Sequence, residues 1–328
     1  MIQRSLLNGY EMHFVKQPEN SSYLKLKAPF RFHWVSILMV LFFGGSFNAW
    51  AASAEKTNAN NYAAALLKQH KLLSKRLADN QFNRPITLDS SESPEQLKGE
   101  IYAVLDYPFA TVNSALNQPE HWCDALILHI NIKYCRAATS KSGTVMHLNL
   151  GKKYDQDLSD TYKTVFNYEE ISKSDNYFST ELNAAEGPLG TSDYRIRIEA
   201  TPLNNNQTFL HFTYAYSFGL SGRIAMKGYL ATIGKDKVGF TISEPSSSGQ
   251  PNYIKGVRGV VERNTMRYYL TIDAYLAALS QPANKQLDKR LEKWFTSTEQ
   301  YAKQLHEVER DAYMEMKRKE YQRQIADN

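Results

Sequence analysis

The stretch Asp193–Phe218, DYRIRIEATPLNNNQTFLHFTYAYSF, decides the fold class. In its first half Tyr194, Ile196 and Ile198 alternate with Asp193, Arg195, Arg197 and Glu199. That period of two is what a strand with one wet and one buried face imposes. Three asparagines, Asn204 to Asn206, then supply a turn, and Leu210, Phe212, Tyr214, Tyr216 and Phe218 fall on one side of a second strand. A hairpin this long with one apolar face needs a second layer to cover it.

Working outward, the same reading predicts strands at Gly99–Leu105, Thr144–Leu150, Tyr162–Ile171, Tyr177–Ala184, Lys227–Gly234 and Val238–Ile242, separated by polar or Gly/Pro/Asn-rich links. Between the first two lie a helical stretch, Phe109–Asn117, a break at Pro119 and a second apolar segment, Trp122–Tyr134. A long amphipathic helix is predicted over Gly259–Leu279, where Val261, Thr265, Tyr268, Ile272, Tyr275 or Leu276, and Leu279 recur at steps of three and four. Pro282 ends it. A last, highly charged helix is expected from Asn284 to Ile325, with a mostly apolar stripe of Leu287, Leu291, Trp294, Thr298, Tyr301, Leu305, Val308 and Ala312. That stripe needs a partner surface, either its own domain or a second copy in a helical seam. Upstream, a leader helix is expected at Tyr62–Leu77, followed by a link, DSSESPEQ.

The order of one strand, two helical segments, six or seven strands and one long helix resembles the helix-grip fold of the START and polyketide-cyclase-like (SRPBCC) superfamily. The local echo is Asp106-Tyr-Pro-Phe-Ala-Thr-Val-Asn-Ser-Ala-Leu116 followed by Trp122-Cys-Asp124. The resemblance covers residues 99 to 280 and implies an α+β domain in which a curved antiparallel sheet wraps a long C-terminal helix around a cavity. It implies a fold more firmly than an activity, because such domains bind lipids, sterols and polyketides and some are enzymes. The chain also resembles a family of exported proteobacterial proteins.

Residues 34–44, WVSILMVLFFG, carry no charge and follow Lys25, Lys27 and Arg31, the order of a secretory signal. Small residues around Ala51 and Ala54 offer cleavage sites, so the mature chain is expected in the periplasm; the alternative is an inner-membrane anchor through residues 34–52. Loss of residues 1–54 leaves 34 basic against 32 acidic residues. The +5 formal charge of the whole chain therefore does not mark a nucleic-acid binder, which needs a basic surface against phosphates. The organisation expected is 1–54 signal or anchor, 55–97 leader and linker, 98–281 START-like domain, and 282–328 charged helix.

Two cysteines, Cys123 and Cys135, are the whole complement. An oxidising compartment favours a bridge. A straight helix between them would hold their Cα atoms about 18 Å apart and forbid it. The spacing fits neither a redox pair nor a zinc site, and His121, His129, His147 and His211 show no metal spacing, so no metal or cofactor is expected. No Gly-x-Ser-x-Gly elbow is present. The densest polar cluster opens the long helix, with Arg258, Arg263 and Arg267 near Tyr268. One reading sets the arginines against an anionic head group while Tyr214, Tyr216, Tyr229 and Tyr268 hold an apolar tail. The other makes the arginines a structural ion-pair network with Asp193, Arg195 or Glu199 and the tyrosines ordinary core. The leading expectation is a non-catalytic binding protein for a small hydrophobic or amphipathic, lipid-like molecule, with membrane association a further expectation. An envelope scaffold that associates through the C-terminal helix and a cyclase- or hydratase-like enzyme are the alternatives.

Overall fold

The structure is a computed structural model and describes residues 47–204, 206–232, 234–245 and 250–326. Its elements, in chain order, are α1 (Phe47–Ala78), β1 (Ile86–Glu92), β2 (Gln96–Leu105), α2 (Phe109–Leu116), α3 (Pro119–Leu126), β3 (Ile132–Ser140), β4 (Gly143–Leu150), β5 (Tyr162–Lys173) and β6 (Phe178–Glu186). There follow β7 (Thr191–Asn204), β8 (Gln207–Phe218), α4 (Leu220–Ala231), β9 (Ile242–Pro245), β10 (Pro251–Tyr253), α5 (Gly256–Ala277), α6 (Ala283–Glu299), α7 (Ala302–Leu305) and α8 (Arg310–Ala326). The charge-free run at residues 34–44 lies outside the described residues. Among the described residues, no helix is long and apolar enough to cross a membrane.

Eight strands form one antiparallel sheet in the order β1-β2-β8-β7-β6-β5-β4-β3. The hairpin of β7 and β8 lies inside it with the expected face inward: Ile196 pairs with Tyr214 and Ile198 with Phe212, all four buried. Helix α5 crosses that face. It comes close at Gly99 of β2, where an added Cβ would stand 3.0 Å from the Cβ of Thr265, so only glycine lets the layers meet there. Sheet and long helix thus form the α+β helix grip that the element order implies.

Several elements differ from the sequence reading, each for a physical reason. The link DSSESPEQ contributes most of β1, an edge strand paired with β2 from Ile86↔Ala103 to Glu92↔Leu97. Its polar residues are used: Asp89 pairs with Arg76 of α1, and Ser90 meets α5. The strand expected at Lys227–Gly234 is the helix α4, and residues 238–242 run as a loop into the small β9-β10 sheet. Of its described residues α4 buries only Gly222, so its apolar residues follow no single inward face. The segment Trp122–Tyr134 folds back after α3 into β3, bringing the Cα atoms of Cys123 and Cys135 to 5.2 Å and closing the disulfide.

The single charged helix expected at Asn284–Ile325 is three helices that fold back on the domain. Leu291 and Trp294 of α6 and Tyr313 and Met316 of α8 join the main core, and Trp294 donates from Nε1 to Thr271 Oγ1 of α5 at 3.0 Å. The stripe therefore covers its own domain. As a result α5 is enclosed on both sides, which explains why Glu262, Arg263, Arg267 and Asp273 are buried along with its apolar face. On the far side of the sheet, Ala59, Ala63, Leu66, Leu73 and Leu77 of α1 pack with Tyr177 and Phe209 in a second, smaller core. The leader helix is thus part of the domain.

Candidate functional site

Three of the four tyrosines expected to line a cavity, Tyr214, Tyr216 and Tyr268, come together between sheet and helix, joined by Tyr194. Ring centroids are 5.1 Å apart for Tyr214 and Tyr268 and 5.2 Å for Tyr194 and Tyr216, and all four rings are buried. Burial raises the phenol pKa of each; that of Tyr194 reaches about 12. At this spacing the rings fill the layer between sheet and helix and act as core. Tyr229, expected on a strand beside them, is half-buried on α4.

The arginines have structural partners, but not the predicted ones. Arg258 donates to the side chain and carbonyl of Ser90 on β1 at 3.1–3.2 Å. Arg263 donates to the Val238 carbonyl at 3.1 Å, and Arg267 pairs with Glu307 at 2.6 Å. Glu262, fully buried, accepts from Ser90 Oγ, from the backbone N–H of Phe240 and Thr241, and from Thr241 Oγ1 at 2.6–2.9 Å, which ties the 239–241 loop and β1 to α5. Asp193, Arg195 and Glu199 could not serve, because β7 turns its charged residues to the opposite face. There His211 sits between Glu199 (Nδ1 to Oε2, 3.0 Å) and Glu100 (Nε2 to Oε1, 3.0 Å), with Tyr102 stacked on its ring at 4.1 Å. Among the described residues no group of three or more His, Cys, Asp or Glu is placed to hold a metal.

Two open clefts lie away from this layer. A cleft of about 640 Å³ is formed where the α1–β1 turn (residues 81–84), the loop at Phe240, Tyr253 and the α6–α7 junction (residues 300–304) converge. A neighbouring cleft of about 300 Å³ shares Gln81 and Phe82 with it and runs along β1. Both volumes fall within or near the range of small-molecule sites. The sequence builds the turn with Asn83 in the left-handed conformation at φ 53°, a position Asn tolerates better than most residues, and with Pro85 directly after Arg84. Asn80 stiffens it by donating to the carbonyls of Arg76, Leu77 and Arg84, and Gln81 Nε2 reaches the Phe240 carbonyl at 2.9 Å.

The larger cleft has an aromatic base. Phe82, Phe240 and Tyr301 form a triangle with centroids 5.6–6.1 Å apart, and Tyr301 Oη donates to the Phe82 carbonyl. Three cations stand around it. Arg84 pairs with Asp273 at 2.9 Å and lies 5.5 Å from the centroid of Tyr269; Lys293 lies 3.4 Å from the same Asp273 oxygen; and Lys303 sits 4.8 Å over Tyr253. Burial works against the Arg84 charge, but Tyr269 and Asp273 outweigh it and raise its pKa. Among the described residues no carboxylate, histidine or cysteine lines this cleft, whereas four amides do, Gln81, Asn83, Gln300 and Gln304. The smaller cleft is walled by Phe82, Ile86, Leu88 and Ile242, with Asp79 among its polar residues. It also contains Thr87, whose buried hydroxyl has no hydrogen-bond partner among the described residues. The larger cleft is thus polar and cationic at its rim and the smaller one more apolar.

Sequence reasoning missed this groove because its walls come from four segments distant along the chain. Its one local signal is the aromatic and amide cluster Gln300-Tyr301 inside an otherwise charged helix.

No family model and no curated protein matches the chain. Among solved structures it is similar to the human StAR-related lipid transfer protein 5 (10% identity over 54% of this chain and 90% of that one, TM-score 0.29). It is also similar to a point mutant of norcoclaurine synthase from Thalictrum flavum (11% identity, 45% and 93%, TM-score 0.30) and to human STARD10 (9% identity, 46% and 69%, TM-score 0.28). At these scores the START-like fold rests on the strand order and the place of α5 themselves.

Proposed function

We propose that this protein binds a small amphipathic molecule carrying one anionic group, and that it does so in the groove beside β1. The observation that carries this reading is the asymmetry of the two joined clefts. At the larger one Arg84 and Lys293 share the single carboxylate of Asp273 and Lys303 forms no ion pair among the described residues, while Ile86, Leu88 and Ile242 wall the smaller. The ligand class is the one expected from the sequence; the place differs, because the tyrosines pack the sheet–helix layer. We place the protein outside the cytoplasm: the run at 34–44 after three basic residues and the Cys123–Cys135 bridge both support export.

Calorimetric titration tests the reading with two probes, dodecanoate and the neutral dodecanol. Lys303 is exposed and Ile242 is 44% exposed, so changing either leaves the core intact. Lys303→Glu is expected to weaken dodecanoate about tenfold, near 1.4 kcal/mol, with little effect on dodecanol. Ile242→Asp is expected to weaken both. Unchanged dodecanoate affinity in both variants contradicts the proposal.

A further inference from the structure

A second cationic centre lies at the N-terminal half of α5. Glu307, in the link between α7 and α8, is approached by Arg267 at 2.6 Å, Lys153 at 2.6 Å and Lys237 at 3.1 Å. One carboxylate thus faces three cations from three segments. One turn before Arg267, Arg263 is 2% exposed and forms no ion pair among the described residues; its bond is to the Val238 carbonyl. Two buried N–H groups near it have no acceptor among the described residues. They are Arg267 Nε and His129 Nε2, the latter carrying the proton because Nδ1 accepts from Asn131 N at 3.2 Å.

The charges respond to one another as an under-neutralised cluster must. Burial and then the neighbouring Arg267 lower the Lys153 pKa to about 8, despite Glu307. Arg267 is lowered by burial and by Arg263 even though Glu307 opposes both. His129 is held well below its ordinary value by burial and then by Arg267, Lys317 and Lys153. A buried guanidinium without a counterion is costly, and unsatisfied buried donors add to that cost. Clusters of perturbed charged groups of this kind concentrate at functional sites as well as in structural ion-pair networks. Lys153 and Lys237 are about a quarter exposed, so the centre reaches solvent.

We infer that this centre is an oxyanion site, separate from the groove, that takes a phosphate group between Arg263, Arg267 and Lys237. The shared chemistry is a compact polyvalent oxyanion, whether free phosphate or the head of a phosphomonoester lipid.

Thermal unfolding of the full chain at constant ionic strength tests it, with inorganic phosphate and with dihexanoyl phosphatidic acid against chloride. Either probe is expected to raise the midpoint by about 3 °C near saturation. A response to phosphate itself identifies a free-ion site, and a response confined to the phosphatidic acid identifies a lipid head group. The response is expected to persist in Lys303→Glu, which alters only the groove, and to vanish in Arg263→Met. Removing an uncompensated charge should also make Arg263→Met at least as stable as wild type in chloride. Should that variant fail to fold, Lys237→Ala is expected to halve the response or more. Absence of a response to both probes in wild type, or a response retained in Arg263→Met and Lys237→Ala, overturns the assignment.

Discussion

His211 shows how much a single residue can depend on strand register. Its two ring nitrogens meet Glu199 on the same hairpin and Glu100 on β2 because β8 is paired on both sides, with Glu199↔His211 and Tyr102↔His211 in register. Burial disfavours the imidazolium, but the two carboxylates win and raise the His211 pKa. In return, hydrogen bonding to His211 leads the causes that hold Glu100 at about 2; at Glu199 burial opposes, and bonds from His211 and Tyr177 bring it to about 2. The signs fix a pH window. A raised histidine stabilises fully below its unfolded value of 6.5 and loses this as pH climbs through the folded value, whereas the lowered carboxylates contribute above 4.5 and lose this as pH falls towards 2. We expect the melting deficit of His211→Gln to be greatest near pH 5.5 and to shrink above pH 8. A deficit that does not change across that range means the ring acts by packing alone. None of this was legible in the sequence, where Glu100 and His211 stand far apart and register is unknown.

Among the elements, the β7–β8 hairpin and α5 were legible because each has one wet face and one dry one over many residues. The helices after Pro282 were legible as helix but not as three, since no Gly or Pro interrupts residues 284–328. The break at His306–Glu309 has a tertiary cause: Glu307 is drawn to Arg267, Lys153 and Lys237, and the chain leaves the helix to reach them. Helix α8 is then fixed to β3 by a fully buried triad in which Glu320 meets Lys133 at 2.9 Å and Lys317 at 2.7 Å, and Lys317 also donates to the Ile132 carbonyl. Glu320→Gln leaves two lysines in the interior without a counterion and is expected to destabilise by about 3–5 kcal/mol in chemical denaturation. Lys317, pushed down to about 8 by burial, already holds its charge at a cost, so Lys317→Met is expected to lie within about 1 kcal/mol of wild type. Equal losses in the two variants would show that α8 is held by packing alone.

For the whole molecule, the layers explain where a ligand can and cannot sit. The sheet has α5 on one face and α1 on the other, and α6 to α8 close over the back of α5. Buried aromatic residues pack inside the grip, and a cleft opens at the seam where the α1–β1 turn, the Phe240 loop and the α6–α7 junction meet. The architecture was legible from strand period, helix period and their order. The groove was not, because its shape depends on how the segments flanking the central domain fold back on it.

Hydrogen exchange with and without dodecanoate tests the central claim most directly, since it reports the place of binding and not merely its strength. Binding in the groove predicts added protection at residues 79–88, 240–242 and 300–304. Protection confined instead to Leu210–Tyr216 and Val261–Tyr268 would put the ligand between sheet and helix and contradict the account.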